Sequence, residues 1–260
     1  MAESNVRLPS ISIRKGIAWG FSPPYEDTST LVLTSPEGRF VDIRFPLDYS
    51  TLPGRKGFDH HPSYWSFSGR SITRTPQQGS FPAWPYATHS VWQHEIDSRG
   101  PGIVDEGDMF DLPNGDSMEV GVMRHPVSGE QSMYKEYWTS PKLAPEYGLG
   151  LFPCYVAETV AVQGDTGLPK GRIIRVGPHC QSIRATEPVD VERWTYTYRD
   201  EMHQWWDQAR YGDLWPTGVS LKEESVSPLA WWLCKKTIQA GDEMDTGDNV
   251  WRVIEAWQGP

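Results

Sequence analysis

The sequence predicts an all-β protein, and two observations carry that prediction. The chain has 260 residues, among them 22 prolines and 24 glycines spread along its whole length. Such frequent interruption leaves little room for long helices but suits short strands joined by turns. Between the turns, the side-chain pattern has a period of two, which is typical of strands with two different faces. We therefore expect antiparallel strands connected by hairpins.

The first half of the chain contains most of the predicted strands. A hairpin is predicted around residues 35–38, because Pro36 presets a turn and Gly38 can adopt the positive φ that closes it. Two further turns, at residues 113–116 and 126–129, predict a meander of three strands. The predicted strands of this half are 10–21, 28–34, 39–45, 63–67, 71–75, 86–97, 102–110, 117–124 and 130–138.

A linker is predicted at residues 140–148, where Pro141, Pro145 and Gly148 interrupt any regular pattern. It divides the chain into two expected domains, residues 1–140 and 150–260. The second domain has one predicted helix, 200–210, with Asp200 as N-cap and Gly212 just beyond its end. Its predicted strands are 155–162, 171–176, 179–185, 191–199 and 250–257.

Charge and composition exclude several classes of protein. The chain has 24 Lys and Arg against 34 Asp and Glu, a net charge of -10, which opposes binding to nucleic acid or anionic membranes. Its mean hydropathy is -0.55, and no apolar stretch reaches the ~18 residues of a transmembrane helix. The cysteines Cys154, Cys180 and Cys234 lack metal-site spacing and are expected to be buried thiols. Because the N-terminus shows no signal sequence, we expect a cytoplasmic protein.

Aromatic residues share strand faces with polar ones. Alternation places Trp92 and His94 on one face of strand 86–97, together with Thr88, Ser90 and Ile96, and Trp194 and Tyr196 on one face of strand 191–199. Ligand cavities combine ring surface with a few hydrogen-bonding groups in this way. The alternative is an ordinary core whose polar atoms reach backbone carbonyls. For the set as a whole, the pattern favours a cavity.

Motifs of familiar enzymes are missing from the sequence. The acidic stretches 105–108 and 242–248 do not match a calcium loop, and His60 and His61 have no partner at zinc-site spacing. No Gly-x-Ser-x-Gly, His-Glu-x-x-His, P-loop or dinucleotide fingerprint occurs. We therefore expect neither a metal nor a cofactor.

Five segments resemble a known family. They are TSTLVLTSPEGRFVDIR (28–44), THSVWQHEIDS (88–98), VDEGDM (104–109), RVGPHCQ (175–181) and VERW (191–194). They are similar to a fungal family typified by a yeast protein that interacts with a casein-kinase-I homologue. The likeness extends from about residue 10 to the C-terminus, and it implies two lipocalin-like antiparallel β-barrels in tandem.

A second resemblance concerns activity. Cofactor-free hetero-Diels–Alderases of fungal secondary metabolism look like members of the same lipocalin-like group. This sequence departs from the housekeeping pattern at Glu95 and by the many rings of residues 58–86, as expected for a diverged ligand-binding member. The resemblance implies a cycloaddition of a tropolone-type o-quinone methide with a humulene-type sesquiterpene, catalysed by proximity and hydrogen bonding.

The residues expected to serve that reaction come from both halves. His94, Tyr196 and Arg175 are the expected catalytic donors. Substrate binding is assigned to Tyr64, Trp65, Trp92, Trp194 and His179. Two alternatives stay open: a non-catalytic protein whose acidic surface docks a kinase, and a passive metabolite carrier. A homo-oligomer is compatible with each of them.

Overall fold

Two bodies of antiparallel strands make up the protein in a computed structural model. The structure describes residues 7–47, 61–75, 88–141, 153–160, 169–199, 202–211, 232–233 and 238–258. For 196–199 and 202–211 it describes the backbone alone. Fifteen strands lie in these ranges, so the all-β prediction is confirmed. No helix in the described part of the chain is long and apolar enough to cross a membrane.

The first eight strands form a closed barrel in which each strand pairs with the next and β8 pairs with β1. The predicted hairpin joins β2 to β3, with Gly38 at a φ of 81° and its N–H donating to the Ser35 carbonyl at 2.9 Å. The two strands predicted at 63–67 and 71–75 are one continuous strand, β4. The strands are β1 (Ser10–Trp19), β2 (Thr28–Thr34), β3 (Arg39–Pro46), β4 (Trp65–Arg74), β5 (Thr88–Asp97), β6 (Asp105–Asp111), β7 (Ser117–Arg124) and β8 (Gln131–Thr139).

The second half forms a seven-stranded sheet with the order β13-β12-β11-β10-β9-β15-β14. A second closed barrel is therefore not confirmed for the described residues, and residues 142–148 of the predicted linker lie outside them. The strands are β9 (Cys154–Thr159), β10 (Gly171–Val176), β11 (His179–Arg184), β12 (Asp190–Arg199), β13 (Met202–Tyr211), β14 (Glu243–Asp245) and β15 (Val250–Trp257).

The helix predicted at 200–210 is wrong, because this segment is strand β13. Its pairing with β12 runs from Arg199 opposite Met202 to Val191 opposite Tyr211. The prediction used a local capping signal, whereas the free edge of β12 offers hydrogen bonds along the whole segment. Aromatic residues such as Trp205 and Trp206 also favour strands. Pairing with a distant strand thus outweighs the local preference.

The largest apolar cluster lies between the barrel and the sheet. Strands β10 and β11 pack across β2 and β3, and β11 also contacts β4. Leu33, Val41 and Ile43 on the outer face of the barrel meet Val156 and Ile174 of the sheet, and all five are buried. Because strand side chains alternate, the intervening residues of β2 and β3 point into the barrel. Since these apolar side chains of β2 and β3 face the sheet, polar side chains of the same strands face the barrel interior.

Candidate functional site

A cavity of about 280 Å³ occupies the interior of the barrel. The cavity opens at one end of the barrel. Because consecutive strands are antiparallel, β1, β3, β5 and β7 begin at this opening and the other four barrel strands finish there. Its ring surface comes from Phe40, Phe67, Trp92 and Trp138. Several serine and threonine hydroxyls line it as well. Its charged or acidic groups are Arg7, Asp42, Arg44, Asp105, Asp111 and Glu119.

A β-bulge shapes the lower part of the cavity. On β4, Gly69 pairs with His94 while its neighbour Ser68 pairs with Ile96, so that Glu95 is an extra residue. Thr88, Ser90 and Trp92 line the cavity as alternation predicts. Beyond the bulge the alternation changes, and Ile96 joins the core outside the barrel instead of sharing the face of Trp92.

His94 is held between two carboxylates. Its Nδ1 lies 2.5 Å from Asp97 Oδ2, its Nε2 lies 3.3 Å from Asp105 Oδ2, and its ring stacks on Phe67. Burial lowers the pKa of His94, but the hydrogen bonds to Asp105 and Asp97 outweigh burial and raise the pKa to about 9. The imidazole is therefore a cation at neutral pH, with both N–H groups engaged.

Two arginines share one carboxylate at the floor of the cavity. Glu136 accepts from Arg14 at 2.6 Å and from Arg44 at 3.0 Å. Arg44 also donates to Asp42, at 2.8 and 3.0 Å, and Arg14 donates to Glu26. Burial alone would lower the pKa of Arg44, but Asp42 and Glu136 raise it well above the ordinary value. The floor thus consists of paired charges, which accounts for their burial.

Glu119 stands on the opposite wall of the cavity. Its Oε1 accepts from the Tyr134 hydroxyl at 2.6 Å, and its Oε2 accepts from the Trp138 indole N–H at 3.1 Å. Burial, followed by the nearby charges of Glu136 and Asp105, raises the pKa of Glu119 well above its ordinary value. This geometry favours a neutral carboxylic acid that faces the cavity.

Comparison with known proteins identifies the family of this chain. The family model described as Protein HRI1 matches residues 10–255. The chain belongs to the HRI1 family. A crystal structure of the uncharacterized protein YLR301w from Saccharomyces cerevisiae superimposes with a TM-score of 0.65 and 17% sequence identity, covering 96% of this chain and 100% of that one. At that identity the likeness shows the fold alone, and no curated protein matches the chain.

Three of the predicted site residues come together inside the barrel of this HRI1-family protein. Trp92 lines the cavity and packs against a cluster that contains Trp65. The Trp65 ring lies 5.8 Å from that of His94, and its indole N–H donates to Asp97 at 2.9 Å. Tyr64, although next in sequence to Trp65, is buried in the core between barrel and sheet. Of these two predicted substrate-binding residues, Trp65 thus lies inside the barrel and Tyr64 outside it.

The remaining predicted site residues of the HRI1-family chain lie in the sheet, away from His94 and Trp92. Trp194 is buried in the cluster on the face of the sheet that points away from the barrel. Arg175 donates to the Leu233 carbonyl at 2.7 Å. His179 lies 3.3 Å from the Thr195 hydroxyl, and burial, together with Arg193, lowers its pKa to about 4. The backbone of Tyr196 pairs with Trp205, and its side chain lies outside the described residues.

The charged groups of the cavity were not among the site residues predicted from the sequence. Asp42 and Arg44 alternate with Val41, Ile43 and Phe45 in β3, which is the pattern of a strand with one apolar and one charged face. Both faces of this strand are buried, so the charged face had to point to an enclosed space. A charged residue at every second position of an apolar strand is the signal that could have identified this wall.

Proposed function

We propose that the barrel binds a compact, oxygen-bearing ring compound in its interior cavity. The observation that supports this proposal is the meeting of four aromatic side chains with Arg44 and Glu119 around one space of about 280 Å³. Aromatic faces provide stacking area, and a few polar groups orient the guest. The volume lies near the lower end of known ligand cavities, roughly 300–1,000 Å³, and suits one ring system.

The reaction proposed for this site is the hetero-Diels–Alder cycloaddition implied by the family resemblance. In this proposal the o-quinone methide stacks against Trp92, and a hydrogen bond to its oxygen lowers the barrier. The sesquiterpene then reacts at the open end of the barrel, since the cavity holds one reactant. Holding both reactants in place can contribute about 7–11 kcal/mol, and the step requires neither nucleophile nor redox change.

The experiment adds the protein to an o-quinone methide and humulene and follows the rate and stereochemistry of adduct formation. We expect Trp92→Ala to lower the protein-dependent rate about tenfold or more, because the variant removes a stacking wall of the cavity. Trp194→Ala is the matched control, since this equally large side chain is buried in the sheet. It should destabilise the protein by about 3–5 kcal/mol without altering the stereochemistry of the adduct.

The outcomes separate catalysis from the other two functions. An unchanged rate and a mixture of stereoisomers in the presence of protein would contradict catalysis. Saturable binding of a tropolone without acceleration would instead identify a carrier. No binding by any tropolone or terpene would contradict the cavity function altogether and leave the interaction protein, whose docking to a basic kinase should weaken with salt.

A further inference from the structure

The acidic side chains that are shielded from solvent inside the barrel are matched with cations, with one exception among the described residues; Asp111, which also lines the cavity, is exposed. Each of the matched carboxylates lies within 3.3 Å of an arginine or histidine nitrogen; they are Glu26, Asp42, Asp97, Asp105 and Glu136. Glu119 differs, because its hydrogen bonds come from the neutral donors Tyr134 and Trp138. A buried carboxylate without a cationic partner takes up a proton rather than staying charged.

Two glycines provide the space in which Glu119 and Tyr134 fit. Gly107 on β6 and Gly121 on β7 are paired across the two strands. A Cβ atom on Gly107 would lie 2.7 Å from Glu119 Cγ, and one on Gly121 would lie 2.5 Å from the Tyr134 hydroxyl oxygen. Any larger residue at either position would displace the pair. Glycines on β6 and β7 therefore fix the position of the acid.

The groups around Glu119 determine which acceptor its acid proton can reach. The titratable groups that face it are Tyr134 and Glu136 on β8, Asp105 on β6 and Arg44 on β3. Tyr134 donates to Oε1, and the Trp138 indole donates to Oε2. The indole N–H of Trp138 can only donate. The Tyr134 hydroxyl also lies 3.3 Å from the Glu106 carbonyl, but its shorter contact is with Glu119, and we take it as the donor there. The acid proton is then left for an acceptor in the cavity, which Glu119 lines.

We infer that Glu119 is an undissociated acid that donates a hydrogen bond to the carbonyl oxygen of a conjugated cyclic ketone in the barrel. This inference rests on the proposed binding function and names the functional group that the cavity recognises. Asp105 and Glu136 disfavour an anionic guest at the same place, whereas a neutral carbonyl oxygen accepts the proton without adding charge. Trp92 supplies a face for the ring.

Infrared spectroscopy tests the proton without any guest. The difference spectrum between the native protein and Glu119→Gln at neutral pH should contain the carbonyl band of one protonated carboxyl group. Glu130→Gln is the matched control, because Glu130 is exposed in a turn, and its difference spectrum should lack that band. A Glu119→Gln difference spectrum that shows the loss of a carboxylate instead would overturn the inference.

Calorimetry with two matched rings tests the recognition. Tropone carries a carbonyl oxygen, and cycloheptatriene is a seven-membered ring without one. We expect tropone to bind the native protein about tenfold more tightly, and Glu119→Leu to abolish that preference. Equal affinities for the two rings in the native protein would overturn the inference but leave the binding function intact. Binding of neither ring would contradict the proposed function itself.

Discussion

Single residues in the barrel owe their charge state to their neighbours. His94 is almost completely shielded from solvent, with 5% of its side chain exposed, and yet it carries a proton at neutral pH. Asp97 and Asp105 stabilise the imidazolium by more than burial destabilises it. His94 thus holds Asp105 at the cavity wall, which makes it a positioning residue in place of the donor expected from the sequence.

The raised pKa of His94 predicts how stability depends on pH. The folded pKa of about 9 exceeds the unfolded value, so the contribution is complete below about pH 6.5 and is lost as pH rises to 9. Over that range the free energy of unfolding should fall by roughly 3 kcal/mol on account of His94. Urea unfolding between pH 6 and 10 measures it, with His94→Gln as the comparison. The same pH dependence in both proteins would exclude His94 as its source.

For single residues, the alternation of side chains along a strand predicted which face of the strand each residue occupies. It placed Trp92 on the face that lines the cavity and Trp194 on a buried face. It could not indicate that one face lines the barrel cavity and the other packs in the core of the sheet, because alternation concerns residues of one strand only. Which side of a sheet encloses a cavity depends on how sheets pack. His94 and Trp194 were therefore assigned to one site although they lie in separate cores.

At the scale of strands, local signals were sufficient where turns decide the structure. The hairpin around Gly38 was predicted, since proline and a positive φ favour a turn that joins two neighbouring strands. The bulge at Glu95 and strand β13 were not predicted, because each depends on a partner strand. The sequence of β5 alone shows regular alternation. The bulge becomes visible only in the pairing with β4, where Gly69 lies opposite His94.

The bulge predicts an exceptional sensitivity at Gly69. A Cβ atom there would lie 1.7 Å from the Gln93 carbonyl oxygen, so that Gly69→Ala has to separate β4 from β5. We expect a loss of about 3 kcal/mol or more in the free energy of unfolding. Gly115→Ala is the control, because Gly115 has a φ of +87° but open space around it, and should cost about 1–2 kcal/mol. Equal losses in the two variants, measured by urea unfolding, would rule out the steric explanation.

At the scale of the whole molecule, side chains of the sheet donate hydrogen bonds to backbone carbonyls of the barrel. Gln181 donates to the carbonyls of Leu31 and Val41 at 3.0 Å each, and Arg193 donates to the Ile43 carbonyl at 2.6 Å. The three carbonyls belong to the barrel strands β2 and β3, so buried polar groups of the sheet find their acceptors on the barrel. Barrel and sheet therefore depend on each other, and we expect them to unfold together.

Arg172 provides the test of this dependence. It is fully buried, donates to Ser68 Oγ at 2.9 Å and to the Gly69 carbonyl at 2.8 Å, and forms ion pairs with Glu95 and Glu158. Arg172→Met keeps most of the volume but removes the nearest cation of Glu95 and Glu158, which keep only the longer contacts to Arg70 and Arg39. We therefore expect a loss of about 3–5 kcal/mol.

Because Arg172 joins the sheet to the bulge of the barrel, its loss should act on both bodies at once. Far-ultraviolet circular dichroism and tryptophan fluorescence should therefore still report one common urea midpoint in Arg172→Met, shifted from that of the native protein. Arg252→Met is the control, since Arg252 forms an exposed ion pair with Glu243, and it should change stability by less than about 1 kcal/mol. Two separate transitions in the native protein would show that the sheet folds independently of the barrel, because coupled bodies cannot lose their structure at different urea concentrations.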